Sequence, residues 1–263
     1  MKTIRLACIT VSAEIIYRSN WFLGIFIDLL SMGLLLVFWN AALGDRGLIG
    51  TYDFAGFFNY FFLVTIMQKI IITDSGSKIS DDILTGRLSF LLLKLVSHHK
   101  IYISRDLQVK FENIIQTVAM IILYLIIAVS FNLGTGLHFS IFIIPAVLNA
   151  IILAYLIQYI TGMIAFWTNS AWALLLALTV FNRVFNGQMF PIDIVPEGYR
   201  IIFTATPFYY TVYFPVSLLM NKGGSPQYVL TGLATGIAWI LALVVLCRVL
   251  FRIGMKRYEA AGI

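Results

Sequence analysis

Thr73–Lys110, TDSGSKISDDILTGRLSFLLLKLVSHHKIYISRDLQVK, is the one long charged and polar passage of the chain, and it is enclosed by runs too apolar to live in water. Ser80 followed by Asp81 and Asp82 reads as a helix start, with a hydroxyl to cap orphan N–H groups and two carboxylates at the positive end of the helix dipole. Apolar residues recur at Ile79, Ile83, Leu84, Leu88, Leu91, Leu92 and Leu95, which is helical spacing, interrupted at the permissive Gly86. The stretch predicts a short amphipathic helix lying along a membrane surface. A solvated loop that merely joins two spans is the plainer alternative.

Hydrophobic residues fill 60% of the 263 positions and charged ones 11%, with a mean hydropathy of +0.93, so the chain reads as an all-α, polytopic integral membrane protein. The net charge of +6 does not point to nucleic acid, because the cations gather at the ends of apolar runs and not on one face. Cys8 and Cys247 are far apart, and the adjacent pair His98 and His99 would splay on a helix, so neither a disulfide framework nor a metal site is expected.

Spans of about 20 apolar residues are expected at Trp21 to Leu43, Phe54 to Thr73, Asn113 to Phe131, Ile141 to Phe166, Trp172 to Phe190 and Tyr228 to Leu250. The run from Ile141 is uncharged until Arg183 and too long for one crossing, and Trp167-Thr168-Asn169-Ser170 supplies the turn. Residues 1–20, with Glu14 breaking a short apolar run, read as an amphipathic surface helix in place of a signal peptide. The cytosolic coupling region is placed at 74–112, and the whole as one permease domain over 1–263.

Residues 187–227 change character, holding Pro191, Pro196, Pro207, Pro215 and Pro226. Ile201 to Met220 within it passes as a span by hydropathy, but charge parity decides otherwise. If it does not cross, Lys78, Arg87, Lys94, Arg105 and the tail cations Arg248, Arg252, Lys256 and Arg257 share one side, and only Arg46, Arg200 and Lys222 lie opposite. The expectation is six spans, both termini cytosolic in the cell membrane, and an outer re-entrant hairpin before the last span. No Walker motif, HExxH or nucleophile elbow is present, so catalysis by this chain is not expected.

This layout resembles the permease subunit of a type-2 ATP-binding-cassette exporter. Gly86-Arg87-Leu88-Ser89-Phe90-Leu91-Leu92-Leu93-Lys94-Leu95-Val96-Ser97 is similar to that family's coupling segment, G-[KR]-L-[DS]-x-L-L-[LV]-[KR]-P-x-[SN], with Leu95 where proline is usual. Met189-Phe190-Pro191-Ile192-Asp193-Ile194-Val195-Pro196, continuing through Pro207-Phe208 and Phe214-Pro215, is similar to its outer hairpin. The resemblance implies a half-transporter that pairs with a second copy or a sister permease, sits in membrane lipid, and docks on a separate ATPase subunit that carries ATP and magnesium. No cofactor is expected on this chain itself. Ser80, Asp81, Asp82, Ile83, Leu84, Gly86, Arg87, Leu88, Ser89 and Lys94 would form the coupling set, with Asp81, Asp82 and Arg87 facing the partner and Ile83, Leu84 and Leu88 as its apolar anchor. The cargo class stays open between drug, peptide, lipid and glycan.

Thr179, Asn182, Arg183 and Asn186 recur at three- and four-residue spacing and share one face of the fifth span, a polar stripe that cannot face lipid cheaply. Depth arithmetic pairs Arg183 with Asp28, inside one subunit or across a dimer seam, and the set marks a translocation path or that seam. A self-sufficient secondary transporter or channel is the alternative function, since that class also places charge at midplane.

Overall fold

A computed structural model describes residues 18–93, 98–134, 137–138, 140–168, 171–222 and 225–258. The expected surface helix falls mostly outside them; Arg18 to Asn20 form the first turn of a span-length helix. Ten α-helices occur among the described residues: α1 (Arg18–Leu43), α2 (Phe54–Ile71), α3 (Ser75–Leu84), α4 (Arg87–Leu92), α5 (His98–Ser130), α6 (Ile143–Met163), α7 (Ala171–Phe185), α8 (Glu197–Thr204), α9 (Tyr213–Leu219) and α10 (Pro226–Met255). Five of these, α1, α2, α5, α6 and α10, are long and apolar enough to cross a bilayer. Helix is the expected answer for such sequences, because in hydrocarbon each backbone N–H and C=O must find its partner within the segment.

Two units divide the chain. The first comprises residues 1–70 and 110–135, the second 71–109 and 136–263, so the 33 residues of α5 contribute to both.

In the first unit α2 runs antiparallel both to α1 and to the later part of α5. At one end Trp39 stacks on Phe57 at 4.9 Å and Tyr124 lies 5.0 Å from Phe62. The Asn59 amide is buried there, receiving the Tyr124 hydroxyl at 3.0 Å and donating to the Gly134 carbonyl at 2.9 Å, which offsets its desolvation. At the other end Lys69 Nζ meets Asp28 Oδ2 at 2.6 Å and donates to Gln116 Oε1 at 2.9 Å. On α1, Phe22, Phe26, Leu30 and Leu34 recur every fourth residue and are all exposed, a stripe suited to lipid or to another helix.

In the second unit α6 is the central element, and α3, α9 and α10 all contact it. Helices α6 and α10 run parallel: Asn149 abuts Gly236 near their starts and Phe166 abuts Gly254 near their ends, in both places so closely that a Cβ on the glycine would overlap the neighbouring side chain. Parallel neighbours require an odd number of crossings between them. Only α7 is available for that, and at 15 residues, about 22 Å at 1.5 Å per residue, it is shorter than the span expected over Trp172 to Phe190. Asn186 still donates its N–H to the Asn182 carbonyl at 2.9 Å, and the chain turns out of the helix at Gly187, whose φ of 85° is the left-handed conformation that glycine takes at a helix end.

The segment from Ile201 to Met220 is broken into α8, a 3₁₀ turn at Pro207–Tyr210 and α9, none long enough to cross. Proline accounts for the breaks. Pro196 precedes α8 and Pro207 opens the 3₁₀ turn, both positions where a missing N–H costs nothing; Pro191 precedes the turn at Ile192–Ile194, and Pro215 sits in the first turn of α9.

Candidate functional site

The charged passage folds as an elbow of two helices. Thr73 Oγ1 accepts from the Ser75 N–H at 3.3 Å, and α3 begins there, not at Ser80. Ser80 lies mid-helix and 2% exposed, so its role as a cap is corrected: small residues preceding it, which look like a loop by polarity, allow α3 to settle against α6. A Cβ on Gly76 would stand 2.7 Å from the Gln158 carbonyl oxygen, and one on Gly162 would run into Ile79 and the Gly76 carbonyl. The two backbones touch because both positions lack side chains.

Thr85 Oγ1 donates to the Asp81 carbonyl at 2.6 Å and closes α3. Gly86 then adopts φ 74°, ψ −1°, the left-handed conformation that glycine takes without strain, and α4 starts at the next residue. Ser89 donates through its N–H and its hydroxyl to the Tyr258 hydroxyl at 3.3 and 3.2 Å. Tyr258 in turn stands edge-on to Phe166.

The elbow is held by one carboxylate. Asp82 is 2% exposed; its Oδ2 accepts from the Tyr102 hydroxyl at 3.0 Å and from Arg105 Nη1 at 3.1 Å, while Arg87 Nε lies 3.6 Å from Oδ1. Three donors around a buried carboxylate repay its desolvation, and Arg105 also lies over the Tyr102 ring at 5.7 Å. Asp82 thus does not face outward as expected. The proposed anchors are likewise corrected, since Ile83 and Leu88 are buried within this chain and Leu84 is half-buried. Apolar periodicity identified the face but not what covers it. The side chains turned outward include Asp81, Thr85, Arg87, Phe90, Leu92 and Leu93, with Phe90 66% and Leu93 84% exposed. Lys94 and Leu95 lie outside the described residues. Tyr102, Arg105 and Tyr258 were missed by sequence reasoning. The i, i+3 spacing of Tyr102 and Arg105 was the one available signal, and Arg105 was counted only as a topology charge.

The polar stripe of α7 does not act as a unit. Thr179 Oγ1 donates to its own helix at the Leu175 carbonyl, 2.8 Å; Asn186 is 1% exposed, accepts the Gln188 N–H at 2.9 Å and, through its carbonyl, the Tyr213 N–H at 3.0 Å. Asn182 is half-buried and its Oδ1 has no partner among the described residues. Arg183 is exposed and makes no ion pair there, and Asp28 pairs with Lys69 in place of Arg183. Lys69 sits four residues inside the expected end of the second span, about 6 Å deep against about 10 Å for Asp28, a gap that a lysine side chain closes, so the correct partner was within reach of the same arithmetic.

Five span-length helices, a broken-helix hairpin and an elbow between the second and third of them are thus in place. A family model described as ABC-2 family transporter protein matches residues 29–262. The chain belongs to the ABC-2 transporter family. No curated protein and no solved structure matched it. As an ABC-2 membrane component of type-2 permease character it is a multi-pass transport protein, and the elbow occupies the position of the segment that resembles the family's coupling motif.

Proposed function

We propose that this ABC-2 protein is the membrane-spanning half of an exporter and that its elbow docks on a separate ATPase subunit. The observation that carries this is the elbow's build: a carboxylate hub and a glycine contact tie it to α5 and α6 while Phe90 and Leu93 project outward. A short, rigid, apolar-tipped helix is what a groove-binding partner takes. ATP and magnesium belong to that partner, and hydrolysis is its work. A second copy of the chain or a sister permease completes the path, with the exposed stripe of α1 facing lipid or that seam. Parallel packing of α6 and α10 supports a sixth span between them, and the bias of the cations to one side supports a hairpin outside and both termini in the cytosol.

Docking motions of the ATPase would move α3 and, through the glycine contact, α6 as one lever. Leu93→Asp and Phe90→Asp, each made in the full chain co-expressed with its ATPase, should leave membrane insertion intact and lose most ATPase co-purification. Retention of the ATPase at the native level in the double variant would overturn the docking role. The Asp28–Lys69 pair favours a second reading, an ion-coupled carrier, because that class uses intramembrane charge. Transport that persists without ATP and collapses with the proton gradient would select it.

A further inference from the structure

The hairpin region holds a half-open cavity of about 240 Å³, lined in part by Asp193, Arg200, Thr204, Tyr213, Lys222 and Tyr228. At about 30 Å³ per water it holds the volume of about eight waters, and it is smaller than sites for drug-sized ligands. It is polar and roomy, so it is not a packing void. A chemical group the size of a headgroup fits; a whole lipid or a bulky cargo does not.

The lining is charged unevenly. Arg200 donates from Nε to the Val195 carbonyl and from Nη2 to the Asp193 carbonyl, both at 2.6 Å, and makes no bond to a carboxylate among the described residues. Two of its five N–H donors are used in this way, which fixes the guanidinium plane and leaves three donors for a ligand. Lys222 stands 2.9 Å from Asp193 Oδ2. Two cations face one carboxylate, an excess of one positive charge. Burial pulls Lys222 below the ordinary lysine range even with Asp193 beside it, and burial followed by Asp193 pushes the Tyr213 hydroxyl upward, so that it remains a donor. Tyr209 and Tyr228 share a hydroxyl contact of 2.7 Å, and Tyr228 reaches Ser217 at 3.1 Å, adding hydroxyls that suit a polyol.

Helix α8, which carries Arg200, buries none of its residues and exposes Tyr199, Ile201 and Ile202. Such a helix sits in the headgroup layer of a bilayer, with aromatic and aliphatic side chains outward and its cation turned into the cavity.

We infer that this cavity binds the singly charged phosphodiester of a glycerol-type headgroup, through the free edge of Arg200 and the Lys222 ammonium, with the tyrosine and serine hydroxyls receiving the glycerol. A monoanion matches the excess charge, and a planar fork matches phosphate oxygens. A membrane lipid and a soluble glycerophosphodiester offer the same group, and binding needs no ATPase, so it stands apart from the exporter reading.

The test is native mass spectrometry and thermal unfolding of the purified full chain in neutral detergent, titrated separately with phosphatidylglycerol, phosphatidylcholine and glycerophosphoglycerol. Phosphatidylglycerol is expected to bind as one tight copy and to raise the midpoint, and phosphatidylcholine to do neither. Binding of glycerophosphoglycerol with similar affinity would identify a free solute as the source of the same group. Arg200→Gln should weaken binding at least tenfold and Arg200→Lys by less. Because Arg200 also ties two carbonyls, Thr204→Phe provides a second variant: it fills the cavity, keeps those bonds, and should weaken binding at least tenfold with an unchanged elution profile. Equal binding of the two lipids, no binding of either phosphodiester, or native affinity in a folded Thr204→Phe would each overturn the assignment.

Discussion

The elbow of α3 and α4 and the hairpin of α8 and α9 belong to one unit, and α3 and α9 both lie against α6, yet they are fixed by opposite means. The elbow depends on a few separate points: the Gly76–Gly162 backbone contact, the Asp82 carboxylate and the Ser89–Tyr258 bonds. The hairpin depends on many, with rings from Phe181, Phe185, Phe203 and Phe208 in mutual contact and a chain of hydroxyls behind them. Attachment through a few strong points moves as a rigid piece and is sensitive to a single residue. Attachment through many weak contacts absorbs single changes, which suits a region whose part is to hold a shape.

The largest expected effect breaks the elbow at its backbone contact. In Gly162→Val the new side chain meets Ile79 and the Gly76 carbonyl, and main chain cannot yield as a side chain tip can, so a loss of about 3 kcal/mol, the upper end of overpacking, is expected. Gly198→Ala in the hairpin, where nothing lies within 4 Å of the added carbon, should change the thermal midpoint negligibly. Similar midpoints for the two variants would erase the contrast.

Next comes the hub. Asp82→Ala leaves the buried Tyr102 hydroxyl without its acceptor, at about 1–3 kcal/mol, and frees Arg105 and Arg87 to solvent. Hydrogen exchange over α3 and α4 should rise while exchange over α9 stays at the native level. ATPase stimulation should fall with it, because a loosened elbow no longer transmits force. Unchanged exchange in α3 would mean that the glycine contact alone holds the elbow.

Much of this was legible in the sequence, for physical reasons that differ by residue. The span-length helices followed from hydropathy, since lipid leaves a backbone little choice. That Ile201 to Met220 does not cross followed from charge parity, and the clustered prolines marked its breaks. Ser80 was misread because Ser75, Gly76 and Ser80 are polar or small by composition, and only the facing Gly162, some eighty residues on, makes them an interface. Asp82 looked like a solvated cap because its partners Tyr102 and Arg105 lie twenty and more residues away. Asp28 was assigned to Arg183 by depth when Lys69, within side-chain reach of that depth and nearer in sequence, had been set aside as a topology charge. The hairpin cavity has no local signature, since its lining spans Ile192 to Tyr228.

The smallest effect sharpens the contrast from the hairpin side, where one charge among many contacts should register only as a slope. Burial holds Lys222 below its usual 10.5 despite Asp193, so between its folded value and 10.5 the unfolded chain binds more protons than the folded one, and stability rises with pH. Above pH 10 the sign reverses, because Tyr213, raised by burial and by Asp193, keeps its proton when folded and loses it when unfolded. The thermal midpoint should therefore climb slightly from pH 8 to pH 10, by about 1 °C on a scale where one kcal/mol moves a chain of this size by about 2–4 °C. Lys222→Met should flatten that climb, and Asp82→Ala should leave it as it is, since Asp82 makes no contact with Lys222 or Asp193. A phosphodiester seated beside Lys222 would restore its affinity for the proton and flatten the slope in the native protein as well. A native slope that survives both Lys222→Met and saturating phosphatidylglycerol would place the titrating group elsewhere.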